Sequence, residues 1–477
     1  MSKATLGVIV GNRNFFSDKL ASEGRKTILK VLKALDIDVV IVDEEMTNLG
    51  VVESTKDAYQ CGELFAANKT KIDGILVTMP NFSDEIGACD AIRFSGLNVP
   101  VFLHAFPDDV ETMVLASRRD SFCGKLSIAN ILTQYNIPFT ATTNHTIDPE
   151  SDEFKQELLD FVAVCKTVKG LRNARLGQIG ARPNAFRTVR YSEKILESYG
   201  ITVSTIDLSS VMGLARKLDD KDARVVAKLD EIKGYVNTGK APGESLVRMA
   251  KFGVVVDDWT QENYINASAI QCWDSIQMNY GINACSLMSM MSEKLMPSAC
   301  EADILGALSM YALSLASGKG SALVDWNNNY KSEPDKCMLF HCGNWPVSFF
   351  DQSVMINAEV LGTTLGPDNT WGAIDGRVKA GPMSFCRLVT DDNQGVLKAV
   401  IGEGRFTDDR TTKVIGSTAV IEIKNMPQFL LYMMKNGYIH HGAVNPSYCA
   451  DILDEAFTNY LDWPTYYHGA DCGCGCC

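Results

Sequence analysis

The stretch MPSACEADILGALSMYALSLASGKGSALVDW, residues 296–326, decides how the chain is read. Over 304–315 the residues are mostly apolar with good helix formers (Leu305, Ala307, Leu308, Met310, Ala312, Leu313), the pattern of a helix packed on more than one side. Gly318 and Gly320 stop it. Ala322-Leu323-Val324 then reads as a short buried strand ending in Asp325. One carboxylate, Glu301, thus precedes a helix, and a second, Asp325, follows a strand about one α/β unit later. Both acids are expected at one edge of a sheet, where open α/β folds bind ligands. The local alternative is that Glu301 and Asp303 cap the helix and Asp325 is a turn residue.

Outward from this stretch, strands alternate with helices. ATLGVIV at 4–10 is an apolar strand leading into the loop Gly11-Asn12-Arg13-Asn14, a helix follows over 17–35, and further strands fall at 39–42, 74–79 and 99–104. This alternation implies a parallel sheet covered by helices. A second series starts at 174–180, continues through a helix at 192–199 and a strand at 201–206, and is charged and helical over 208–249. After about 350 the texture changes to β-rich runs at 383–389, 396–401 and 417–423, divided by turn signals such as Asp391-Asp392-Asn393-Gln394-Gly395. The expected fold is α/β: two successive open parallel-sheet α/β domains, 1–170 and 171–350, followed by a β-rich, barrel-like C-terminal domain, 351–477. A helix over 426–435 closes at Asn436-Gly437, immediately before Tyr438-Ile439-His440-His441-Gly442.

A chain of 477 residues exceeds a single core, which agrees with several domains. Its net charge of −13 argues against nucleic acid or an anionic membrane as the main partner. With no apolar run long enough to span a bilayer and no cleavable leader pattern, a cytoplasmic location is expected. The 15 cysteines are odd in number and lack framework spacing, so reduced thiols are expected. The tail cluster Cys472, Cys474, Cys476 and Cys477 lacks paired CxxC knuckles and reads as a flexible terminus rather than a soft-metal site.

Three of the six histidines stand in glycine-flanked settings, His341-Cys342-Gly343 and His440-His441-Gly442. Combined with two acids at the ends of secondary elements, they make a candidate divalent-metal site. Carboxylates with imidazole suit Mn²⁺, Fe²⁺ or Zn²⁺, and the oxygen-rich pair leans towards Mn²⁺ or Mg²⁺. Gly177 and Gly180 fit neither GxGxxG nor a P-loop, which disfavours a nicotinamide dehydrogenase. Arg182, Arg187 and Arg190 can meet an anionic substrate group or serve as surface residues.

CEADILGAL at 300–308, LVDWNNNY at 323–330, FHCG at 340–343 and HHGAVN at 440–445 resemble, in this order, segments of the L-fucose isomerase and L-arabinose isomerase superfamily. The resemblance implies a metal-dependent aldose–ketose isomerase, a homo-oligomer and often a hexamer with active sites between subunits. It puts the metal on Glu301, Asp325 and His441, with His341 matching an additional ligand of the arabinose branch. Glu301 and Asp325 would also serve as acid and base around an enediol. Trp273, Trp326, Trp345 and Trp371 are candidate walls against the sugar, and His440 is a candidate substrate contact. Arg13 and Asn14 are expected to reach the substrate of a neighbouring subunit. A deoxyhexose, a pentose and an anionic sugar such as a sulfosugar all fit. The competing reading is a non-catalytic sugar-binding or sensor protein, because two successive α/β domains also suit clamping of a ligand.

Overall fold

The computed structural model describes residues 3–111, 113–410 and 414–469, so the cysteine cluster of the tail lies outside the described residues. The chain forms two compact units. One runs to Lys169 and takes in Glu455–Asp462, and the other holds Gly170–Asp454 with the described residues from Trp463 onward.

In the first unit, Thr5–Val10 (β1), Asp38–Val40 (β2), Gly74–Met79 (β3), Val101–Ala105 (β4) and Thr140–Ala141 (β5) make a parallel sheet in the order β2-β1-β3-β4-β5. Every residue of β3 and β4 is buried, which is why both read as unbroken apolar runs rather than alternating ones. Successive residues face opposite cores. Ile9, Val77 and Leu103 pack with Phe65 and Ile92, while Val8, Leu76 and Phe102 pack with Ile28 and Leu158. The helices between strands start on capping side chains. Ser54 accepts from the Asp57 amide and Asp84 from the Gly87 amide.

The second unit contains two sheets. Arg175–Ile179 (β6), Thr202–Ile206 (β7), Ala267–Ile270 (β8) and Ser298–Ala299 (β9) form a parallel sheet in the order β7-β6-β8-β9. The other, mixed sheet comprises Ala322–Tyr330 (β10), Glu333–His341 (β11), Phe350–Asn357 (β12), Trp371–Val378 (β13), Gly381–Asp391 (β14), Val396–Phe406 (β15), Ser417–Glu422 (β16), His441–Asn445 (β17) and Thr465–His468 (β18). Its order is β12-β13-β16-β11-β10-β17-β14-β15-β18, and a further β15–β16 pairing curls its middle strands into a ring. The expected sequence of parallel α/β sheets and a barrel-like β region is therefore present. Among the described residues no helix is long and apolar enough to cross a membrane.

One expectation is corrected. Asp325 does not end a strand of a parallel sheet, because Ala322-Leu323-Val324 is the buried beginning of β10, which runs on to Tyr330 and pairs antiparallel with β11 and β17. The polar continuation Asn327-Asn328-Asn329 is exposed, and its lack of alternation hid the strand. The helix Ile304–Ser317 explains how acids from two sheets meet. It touches β6, β8 and β9 of the parallel sheet and β10, β14 and β17 of the mixed one. Twelve of its fourteen residues are buried, as a helix apolar all round requires.

Candidate metal and substrate site

Glu301 sits in the turn between β9 and the Ile304–Ser317 helix. Glu301 (φ 63°) and Ala302 (φ 56°) are both left-handed, a conformation non-glycine residues adopt at a cost of roughly 1–3 kcal/mol each. The surrounding hydrogen bonds hold it. Ala302 N donates to Ile270 O at 3.0 Å, and Asp303 Oδ1 accepts from Gly306 N at 2.9 Å, capping the helix. Glu301 Oε1 accepts from Trp273 Nε1 at 3.1 Å.

Asp325 and His441 are paired directly across β10 and β17, so adjacent strands bring them side by side. Gly442 follows because a Cβ there would lie 2.9 Å from the Trp326 indole nitrogen. In the other histidine loop, Gly343 has φ 111° and its added Cβ would meet the Ile374 backbone nitrogen.

These elements gather two acids, Glu301 and Asp325, and three histidines, His341, His440 and His441. His441 Nε2 lies 3.2 Å from Glu301 Oε2 and 3.5 Å from Asp325 Oδ1. His440 Nε2 is 3.7 Å from Asp325 Oδ1, and Asp325, His440 and His441 offer ligand atoms within 4.8 Å of one another. Glu301 and His341 approach each other as closely, beside a Cys300 sulfur that its disulfide with Cys272 removes from the ligand set. Behind them, Asp303 Oδ2 lies 2.8 Å from His441 Nδ1, and Arg387 binds Asp303 through both terminal nitrogens at 2.6 and 3.1 Å. Asp303 and Arg387 are buried; the sequence shows Asp303 only as a helix cap and gives no sign of Arg387.

The electrostatics follow from this packing. Burial lowers the His441 pKa, but the adjoining Asp303 and Glu301 outweigh it and raise it to about 9. Burial raises the Asp303 carboxyl, yet Arg387 and His441 hold it well below the usual carboxylate range. Glu301 is likewise pushed up by burial and brought below its ordinary value by His441 and His341. Burial leads in lowering His341 and also leads for His440, where His441 adds to it.

Three buried atoms in this cluster have no aligned hydrogen-bond partner among the described residues: Glu301 Oε2, His341 Nε2 and His441 Nε2. Buried polar atoms are rarely left so, and two carboxylates with an imidazole form a donor set that fits a divalent cation.

The other expected residues are placed differently. Trp326 is half-buried and edge-on to Phe385 and Phe429, with its indole N–H unpartnered among the described residues. Trp345 is fully buried and its N–H donates to Leu323 O at 2.8 Å, so it stands in the core. Trp371 is half-buried at the start of β13. Phe186, unanticipated, stands edge-on to Trp273 at 5.3 Å and 6.4 Å from the His441 ring. In the first unit, Arg13 covers the Phe82 ring at 4.1 Å and donates to Ser83 O at 3.2 Å, while Asn14 is exposed. The expectation of reduced thiols is corrected at one place: Cys272 and Cys300, which precede Trp273 and Glu301 at the ends of adjacent parallel strands, are joined in a disulfide.

Two family models match the chain: the N-terminal domain of fucose/sulfoquinovose isomerases over residues 7–172, and the C-terminal domain of L-fucose isomerase over 339–468. The chain belongs to the fucose isomerase family and is an enzyme of the aldose–ketose isomerase type. A sulfoquinovose isomerase of Priestia aryabhattai is 24% identical over 448 residues, covering 93% of this chain and 95% of the relative. Another, of Alkalicoccus urumqiensis, is 28% identical over 226 residues, 47% of this chain and 50% of the relative. A third, of Clostridium sp. (strain MSTE9), is 26% identical over 198 residues, 41% and 43% of the two chains.

Proposed function

We propose that the enzyme interconverts an aldose bearing a sulfonate and its ketose through an enediol, with Mn²⁺ held by Glu301, Asp325 and His441. The observation carrying this reading is the convergence of His441 Nε2 on Glu301 Oε2 at 3.2 Å and Asp325 Oδ1 at 3.5 Å, with the first two atoms buried and without an aligned hydrogen-bond partner among the described residues. A bound divalent cation supplies positive charge where the enediolate develops. Glu301 and Asp325 move the carbon-bound proton: one, as carboxylate, takes it from C2, and the other, entering as the carboxylic acid, protonates C1. The O2 hydroxyl proton passes to O1 by way of solvent, and the roles are exchanged in reverse. The Trp273 N–H fixes Glu301 Oε1, which leaves Oε2 as the working oxygen. Trp273, Phe186 and His440 flank the reacting end, and Arg187, next to Phe186 in the chain, is the candidate contact for an anionic group.

The sulfosugar choice is supported by the names of the relatives. The working form is a cytoplasmic homo-oligomer, a hexamer, in which Arg13 and Asn14 of one copy contact the sugar bound to the next.

The test is to incubate the chelator-treated protein with sulfoquinovose, L-fucose and L-arabinose, with and without Mn²⁺, and to follow ketose formation by NMR. Mn²⁺-dependent turnover of sulfoquinovose is expected. Full turnover in the metal-free protein would discard the metal reading, and preference for L-fucose or L-arabinose would discard the sulfosugar.

A further inference from the structure

The two buried histidines of the site are hydrogen-bonded in opposite senses, a difference whose consequence for the reaction rests on the proposed metal site.

At His441, Nδ1 faces Asp303 Oδ2 at 2.8 Å. The other partners of Asp303 all donate: Gly306 N–H at 2.9 Å and the two Arg387 nitrogens at 2.6 and 3.1 Å. A carboxylate surrounded by donors has no proton to give, so the hydrogen in the contact with His441 belongs to Nδ1. Nε2 is then the nitrogen whose lone pair can face a cation between Glu301 and Asp325.

At His341 the sense is reversed. The backbone N–H of Cys342 donates to His341 Nδ1 at 2.9 Å. An amide N–H cannot accept, so Nδ1 carries the lone pair, the doubly protonated ring is excluded, and the proton of the neutral ring sits on Nε2. That Nε2 has no aligned partner among the described residues, and the side chain is 1% exposed. A buried N–H without an acceptor is costly, and one carrying its proton has no electron pair for a metal. His341 is not itself a lining residue of the cavity of about 240 Å³ formed by Trp273, Glu301, Phe340 and Cys342, but a ring nitrogen of it lies within 4.8 Å of a Glu301 carboxylate oxygen at that cavity's wall.

We propose that His341 is a substrate-binding residue whose Nε2–H donates to an oxygen at the reacting end of the sugar, and that it is not a ligand of the cation. Such a donor stabilises negative charge growing on that oxygen as the C2 proton leaves. Its own proton stays on Nε2 throughout, since proton transfer belongs to the two carboxylates. His341 and His441 therefore divide the work: one presents a hydrogen to the sugar, the other an electron pair to the metal.

Mn²⁺ binding to the full-length protein is followed by electron paramagnetic resonance, alongside kcat/KM, in the wild type, His341→Leu, His341→Gln and His441→Gln. His341→Leu should bind Mn²⁺ within about twofold of wild type while kcat/KM falls about 10²–10³-fold, the scale of one lost charge-stabilising donor. His341→Gln, which restores an N–H, should recover at least tenfold of that loss, and His441→Gln should lose Mn²⁺ binding. If His341→Leu loses Mn²⁺ as His441→Gln does, or keeps kcat/KM within threefold of wild type, the proposal is overturned. A neutron-diffraction map of the metal-free wild type decides the matter without a variant. Deuterium on His341 Nε2 and none on Nδ1 supports the assignment, and deuterium on Nδ1 overturns it. A wild type that binds no Mn²⁺ removes the metal reading instead, and the neutron map still reports on His341.

Discussion

Asp303 Oδ2 lies 2.8 Å from His441 Nδ1, with the carboxylate clamped from behind by Arg387 at 2.6 and 3.1 Å, so an ion pair buried from water orients the imidazole. Asp303→Asn would place an amide nitrogen against one of these donors and leave the Arg387 charge unmatched. Uncompensated buried charges cost about 3–5 kcal/mol. The variant should lose stability on that scale and also bind Mn²⁺ about 10–100-fold more weakly, as loss of a carboxylate behind a metal-bound histidine does. Chemical denaturation and a Mn²⁺ titration measure the two effects separately. Wild-type metal affinity in a folded Asp303→Asn protein would show that the contact is structural alone.

Glu301→Gln and Asp325→Asn should leave the fold intact while turnover drops about 10²–10⁴-fold, the range of a lost general acid or base. Glutamine at 301 can still accept from Trp273 at the Oε1 position, so the left-handed turn keeps its brace. Turnover and thermal melting on the same preparations check this. A variant with near-wild-type turnover would take its residue out of the chemistry.

How much of this could be read from the chain depends on the range of each interaction. The Ile304–Ser317 helix is announced by its own residues, because an all-round apolar helix with Gly318 at its end needs no distant partner to be recognised. The helix Met426–Lys435 is legible for the same reason. The acids and histidines stand out through rare residue types beside glycine. Arg387 does not, since nothing in the strand sequence around it signals a buried cation. Its partner is set by Leu388 N donating to Ser309 Oγ and by the strand packing on the helix, long-range facts without a local pattern. Asp303 is ambiguous because it is a helix cap as well, and a cap accounts for it fully. Asp325 is expected in the wrong sheet, as the apolar triplet before it suits either a parallel or an antiparallel strand.

A pH response is expected from the first unit. His104 is fully buried, donating from Nε2 to Ile147 O at 2.9 Å and accepting at Nδ1 from the Thr78 hydroxyl at 2.8 Å. Burial lowers its pKa to about 3, the Ile147 carbonyl offsetting part of the effect and Lys125 adding to it. In the unfolded chain the value returns to about 6.5. Below about 6.5 the unfolded chain binds a proton that the folded unit refuses, so the stability present above that pH is lost as pH falls towards 3, by up to about 1.4 kcal/mol per unit. Hydrogen exchange of the β3 and β4 amides at pH 7.5 and pH 5 should show this loss in the wild type and a smaller one in His104→Gln. Equal pH dependence in both proteins would assign the acid sensitivity elsewhere.

The Arg13 guanidinium is held over the Phe82 ring at 4.1 Å, donates to Ser83 O and lies 3.9 Å from Glu85, while its Nε is buried without an aligned partner among the described residues. These contacts suit an arginine that braces the loop after β3, and they also hold a planar cation at the ligand-binding edge of a parallel sheet. The two roles separate experimentally. If Arg13 only braces its loop, Arg13→Ala lowers the melting temperature and leaves KM alone. If it reaches the sugar of a neighbouring copy, KM should rise about tenfold, the value of roughly 1.4 kcal/mol of lost binding, with Mn²⁺ affinity unchanged. Unfolding and reassembling Arg13→Ala together with Glu301→Gln should then restore activity, because a site pairing the Glu301 of one variant with the Arg13 of the other is complete. Mixed assemblies no more active than the sum of the separate variants would place Arg13 outside any shared site.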